Sequence, residues 1–121
     1  MPQIKLMSQI TIYHNPRCSK SRETLALIRE KGAEPEIREY LKEIPSKDEL
    51  KLVLAKLGLN IKDILRKDEK IYKEKFKGMN FTDEEWMIIV LEYPKLIERP
   101  IVLKGNKAIL GRPPENVLEF F

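Results

Sequence analysis

A chain of 121 residues, 35% charged and 42% apolar with a net charge of +4, fits one soluble globular domain with one core and excludes extended disorder. No apolar run approaches the length of a bilayer span, and Met1-Pro2-Gln3-Ile4-Lys5-Leu6-Met7 lacks a signal-peptide core, so a cytoplasmic chain with no membrane partner is expected. One cysteine and one histidine exclude an internal disulfide and leave too few soft ligands for a structural zinc site, so no metal is expected.

Residues 1–8 read as an N-terminal extension of a single domain spanning 9–121. Gln9 to Tyr13 is an apolar alternating run that predicts a strand. Asn15-Pro16 breaks it, because the residue before proline is pushed away from the helical region. A helix is expected from Ser21 to Lys31, with Leu25, Ala26, Leu27 and Ile28 as its apolar stripe and Gly32 as its stop. Glu36 to Tyr40 predicts a second strand, parallel to the first through that helix.

Ser46-Lys47-Asp48-Glu49 has the pattern of a capping box, followed by Leu50, Val53, Leu54 and Leu57 at helical spacing, with Gly58 ending the helix. Asn60–Leu65 and Asp68–Lys75 predict short helical turns. Thr82-Asp83-Glu84-Glu85 is a second capping box, with Phe81 and Trp86 set as a hydrophobic staple. Trp86, Ile89, Val90 and Tyr93, widened by Met87, Ile88 and Leu91, predict a mostly buried helix that Pro94 stops. Lysines alternate with glutamates in Lys42-Glu43 and Lys73-Glu74-Lys75, as on solvated faces, and no nucleic-acid partner is expected.

Ile101–Leu103 and Lys107–Leu110 predict a hairpin across Lys104-Gly105-Asn106. Gly111-Arg112-Pro113-Pro114 follows, and a last helix is expected from about Glu115. The order β-α-β, helices, β-β-α predicts an α/β sheet of about four strands with a helical insertion over about 46–93.

Cys18 falls where the first helix should begin, and there unpaired backbone N–H groups and the helix dipole favour a thiolate. The competing reading is a buried structural cysteine. Against it stand the polar or cationic flanks His14, Asn15, Arg17, Ser19, Lys20, Ser21 and Arg22. Ser21, three residues on, can donate its hydroxyl to the sulfur; it also occupies the second-cysteine position of a Cys-x-x-Cys motif, so the site is monothiol. A cysteine-phosphatase loop needs arginine six positions after the cysteine, where this chain has Thr24. A papain-like site needs a second, distant histidine, and His14 is the sole one. His14 reads equally as a strand-end residue or as a tuner of the thiolate.

Arg66, Arg99 and Arg112 each sit at an element boundary, and Pro100 and Pro113 fix the backbone beside two of them. Planar, permanently charged guanidinium groups suit a tetrahedral oxyanion.

The stretches Ile12 to Arg22 with Thr24-Leu25, Leu65-Arg66-Lys67, Pro94 to Val102, and Leu110 to Glu115 together resemble the thioredoxin-fold arsenate reductases that use glutathione and glutaredoxin. They occur in family order across nearly the whole chain apart from its first eight residues. The resemblance implies a thioredoxin-like, four-stranded mixed sheet with the helical insertion between its βαβ and ββα halves. It implies Cys18 as nucleophile, His14 and Ser21 as tuners of the thiolate, and Arg66, Arg99 and Arg112 as the oxyanion site. Asn15 and Pro100 would support the site structurally, with Arg99-Pro100 as a cis peptide. Arsenate would be the substrate, glutathione a co-substrate and glutaredoxin a partner, with no bound cofactor. Two other readings share this fold: a redox-responsive regulator of the Spx type that binds RNA polymerase, and a related glutathione-dependent thiol oxidoreductase.

Overall fold

The computed structural model describes residues 9–121, and the extension expected over residues 1–8 lies outside them. Contacts divide the chain into a first unit, residues up to Glu43 with Arg99–Phe121, and a second, Ile44–Glu98.

In the first unit, Ile10 and Ile12 share one face of strand β1 (Ile10–Tyr13) because side chains alternate along a strand. Helix α1 (Ser19–Glu30) follows, and the chain returns as β2 (Glu36–Arg38), two residues shorter than expected. The C-terminal part adds β3 (Ile101–Lys104), β4 (Lys107–Leu110) and a closing helix over Pro114–Phe120. Gly105, at φ 62°, makes the tight turn between β3 and β4. The sheet order is β2-β1-β3-β4. β1 is parallel to β2, with Ile12 opposite Ile37, and antiparallel to β3, with Ile12 opposite Val102. β4 is antiparallel to β3. The expected mixed four-stranded sheet is therefore what forms.

Ile10, Ile12, Ile28, Val102 and Val117 make the core of this unit, with Leu25, Leu27, Ala33, Ile109 and Phe120 around them. On α1, however, the buried residues are Ser21, Thr24 and Ile28; Leu25 and Leu27 are half-buried and Ala26 is exposed. Positions 21, 24 and 28 lie on one helical face, and two of its three members are polar. The closing helix differs in type. It is a 3-10 helix, with the amide of Asn116 bonded to the Pro113 carbonyl at 3.0 Å, as suits a short segment that opens on Pro114 with Pro113 as its N-cap.

In the second unit, helix α2 (Lys47–Leu57) begins at Ser46, whose hydroxyl accepts from the Glu49 amide at 3.1 Å. Leu50, Val53 and Leu54 are buried, and Leu57 is half-buried. A 3-10 turn over Ile61–Ile64 carries its own capping box, Asn60 with Asp63, and helix α3 (Lys70–Lys75) follows. Helix α4 (Asp83–Glu92) starts with the expected box: Thr82 accepts from the Glu85 amide, and Glu85 accepts from the Thr82 amide. The staple is present, with the Phe81 and Trp86 rings edge to face at 5.0 Å. Phe76 joins them and also meets Tyr93.

Trp86, Met87 and Val90 are buried, whereas Ile88 is 57% exposed. The expected mostly buried helix is thus amphipathic, because its apolar content exceeds the face that finds partners. Leu65 and Ile97 also pair as an isolated antiparallel bridge, a long-range pairing that helical periodicity does not announce. Among the described residues no helix is long and apolar enough to cross a membrane, and no cluster of three or more acidic, histidine or cysteine side chains could hold a metal ion.

Ile12→Ala should cost about 2–5 kcal/mol in urea unfolding, because it opens a cavity in a site with no solvent access. Leu52→Ala, at a position 58% exposed, should stay within about 0.5 kcal/mol. Equal costs would contradict this placement of the core.

Candidate functional site

The end of β1 builds the site. The His14 amide continues the ladder by donating to the Arg38 carbonyl at 2.8 Å. Asn15 then folds the loop with both of its carbonyls: its side chain accepts from the Arg17 amide and its backbone from the Cys18 amide, each at 3.0 Å. Arg22 straps the loop by donating to the Pro16 carbonyl at 2.9 Å. Cys18 becomes the N-cap of α1, with extended backbone angles and a half-exposed side chain. The helix begins at Ser19, two residues earlier than expected, which puts the sulfur directly at its N-terminus.

Burial pushes the Cys18 thiol up. The Ser21 amide, the Arg99 guanidinium and the Lys20 amide outweigh that, and the thiol lies below its ordinary value. The expected serine contact is thereby corrected. Ser21 faces the sulfur with its backbone N–H, while its hydroxyl meets His14 Nδ1 at 2.6 Å and accepts from the Asn15 amide at 3.0 Å. The hydroxyl is fully buried and takes the nearest polar groups, which belong to the loop.

Burial also dominates at His14 and lowers its value. Glu39 opposes the shift in part, and Arg29 and Arg22 reinforce it. Burial thus favours the neutral imidazole, which joins the loop through its hydrogen bond with the Ser21 hydroxyl.

Two of the three arginines reach the thiol within the first unit. Arg112 Nη1 lies 4.0 Å from Cys18 Sγ and donates to the Arg99 carbonyl at 3.1 Å. Arg99 supplies both a hydrogen bond and positive charge to the sulfur. The Arg99-Pro100 peptide is cis, as the resemblance implied, and so is Arg112-Pro113, which the sequence reading did not anticipate. Pro100 is buried, and its carbonyl accepts from the Gly111 amide at 2.9 Å.

Arg66 belongs to the second unit. Its amide donates to the Leu96 carbonyl, and Glu98 returns a bond to Ile64, both at 2.8 Å. The guanidinium meets Glu98 at 2.8 Å, Glu69 at 3.3 Å and Asp68 at 3.9 Å, and the side chain is 12% exposed. Nothing in the immediate sequence around Arg66 indicates the pairing with Glu98, which stands 32 residues away.

A mixed four-stranded sheet, a cysteine at the N-terminus of the first helix and a cis-proline before β3 define a thioredoxin-like protein. The chain belongs to the ArsC family, whose model matches residues 13–120. It is 47% identical over 116 residues to the uncharacterized protein YfgD of Escherichia coli K12, covering 94% of this chain and 98% of that one. It is 45% identical over 112 residues to an arsenate reductase of Haemophilus influenzae, covering 91% of this chain and 97% of that one. The structure of an arsenate reductase from Vibrio cholerae superposes with a TM-score of 0.88 at 46% identity, covering 93% of this chain and 98% of that one.

The lowered Cys18 value means more thiolate at neutral pH, so the pH midpoint of iodoacetamide alkylation should lie below that of a free thiol. Arg99→Ala removes two of the lowering influences, so the midpoint should rise. An R99A midpoint equal to or below the wild-type value would refute this account of the sulfur.

Proposed function

We propose that this chain reduces arsenate to arsenite, with Cys18 as the nucleophile. The observation that carries the proposal is the pairing of a thiol held below its ordinary value with Arg112 Nη1 4.0 Å from its sulfur and Arg99 beside it. Thiolate and arsenate are both anions, and the guanidinium groups offset the repulsion between them.

In the proposed cycle the Cys18 thiolate attacks arsenic(V). A sulfur–arsenic bond forms, and one arsenate oxygen takes up protons and leaves as water. A thiol from outside then attacks the Cys18 sulfur. The sulfur–arsenic bond breaks with its electron pair moving to arsenic, which leaves as arsenic(III), and Cys18 remains in a mixed disulfide. A second thiol reduces that disulfide and restores Cys18. Two thiols are thus oxidised to one disulfide for each arsenate reduced. Both must come from other molecules, because the chain has one cysteine. We assign glutathione to the first step and glutaredoxin to the second, which places the reaction in the reducing cytoplasm.

His14 and Ser21 enter as supports of the loop that presents the thiolate, together with Asn15 and Pro100. Arg66 is retained as a third oxyanion ligand on one condition. Its guanidinium must exchange a carboxylate partner for the substrate, since Glu98 and Glu69 already offset its charge.

A coupled assay with glutathione, with and without glutaredoxin, tests the proposal. Cys18→Ser should abolish turnover, and residual wild-type-like activity in C18S would end the mechanism. Arg99→Ala and Arg112→Ala should each raise the arsenate KM about ten- to hundredfold, the range of a lost hydrogen bond to a charged group. Arg66→Ala should also lower Tm, because it strips Glu98 and Glu69 of their partner; an unchanged KM would remove Arg66 from the oxyanion site.

A further inference from the structure

Thr24 has no place in the chemistry just described, yet its side chain is fully buried. It lies six residues beyond Cys18 on α1. Its hydroxyl donates to the Lys20 carbonyl at 2.8 Å and lies 3.3 Å from the Gly111 carbonyl. The first bond alone is ordinary, since threonines inside helices often bond back one turn. The second joins the helix to a residue 87 positions away.

Gly111 shows how close that approach is. A Cβ there would fall 2.6 Å from Thr24 Oγ1 and 2.8 Å from Cγ of Pro100. No side chain fits between the threonine and the proline ring, so the backbone itself fills the space. The Gly111 amide is also bound to the Pro100 carbonyl. The turn is therefore gripped on one side by α1 and on the other by the cis-proline segment. Arg112 follows Gly111, and Arg99 precedes Pro100. Both guanidinium groups thus hang from the two strands of backbone that meet over Thr24.

We infer that Thr24 is a positioning residue: through Gly111 and Pro100 it sets where Arg112 and Arg99 stand relative to the Cys18 sulfur at the N-terminus of the same helix. The inference rests on the proposed oxyanion role of the arginines for its bearing on catalysis, but its first readout needs no substrate. The chain has one cysteine, so iodoacetamide alkylation reports that thiol alone.

Thr24→Val keeps the shape and removes the hydroxyl, and Thr24→Ser restores it. T24V should raise the pH midpoint of alkylation and slow the reaction at pH 7 about threefold, half a logarithmic unit of thiolate fraction, while T24S returns to within experimental error of wild type. T24V should also raise the arsenate KM more than it lowers kcat. A T24V midpoint equal to wild type, or a T24S midpoint displaced as far as that of T24V, overturns the inference whatever the assay shows. A displaced T24V midpoint with rescue by T24S, in a wild-type protein that does not reduce arsenate, upholds the positioning role and defeats the proposed function instead.

Discussion

The contest at the Cys18 sulfur is the constraint on which the rest of this structure depends. Half-burying a thiol disfavours its anion, and only donors aimed at the sulfur reverse that. Two of those donors are the amides of Lys20 and Ser21 in the first turn of α1, and another is the Arg99 guanidinium. The amides are available because the first turn of a helix has no internal partners for them. Cys18 stands beside them as the N-cap, at the end of a loop that Asn15 folds.

The same demand explains where the first unit places its polar groups. Among the described residues, the buried polar side chains are His14, Asn15, Ser21 and Thr24, and all four lie on the loop or on the inner face of α1. Each is satisfied: His14 by Ser21, Asn15 by the Arg17 amide, Ser21 also by the Asn15 amide, and Thr24 by the Lys20 carbonyl. Buried polar groups without partners are costly, whereas a satisfied set holds one arrangement. An apolar core of isoleucine and valine therefore grades into a polar underlayer on the side of the Cys18 loop. The His14 ring belongs to that underlayer.

The arginines dispose of their charge in two ways. Arg112 and Arg99 direct positive charge at the sulfur, and their backbones are held by Pro100 and Gly111. Arg66 is matched locally by Glu98 and Glu69. A guanidinium already paired with carboxylates has less charge to offer an incoming anion, so the three arginines are not equivalent.

The sequence by itself determined the features whose causes are local. Alternation in Ile10–Tyr13, the Thr82/Glu85 box, the Phe81–Trp86 staple and the Gly105 turn were all legible, because each depends on residues a few positions apart. So were the monothiol character of the chain and the placing of Cys18 near a helix start. The buried face of α1 was not legible, because the apolar run Leu25 to Ile28 marks a different stripe from the face that Ser21, Thr24 and Ile28 bury. The Glu98 partner of Arg66, the pairing of Leu65 with Ile97 and the bond from Thr24 to Gly111 were hidden because the partners stand far apart in the chain. A polar side chain tolerates burial only when a partner is brought to it, and here tertiary folding supplies that partner from as far as 87 residues away.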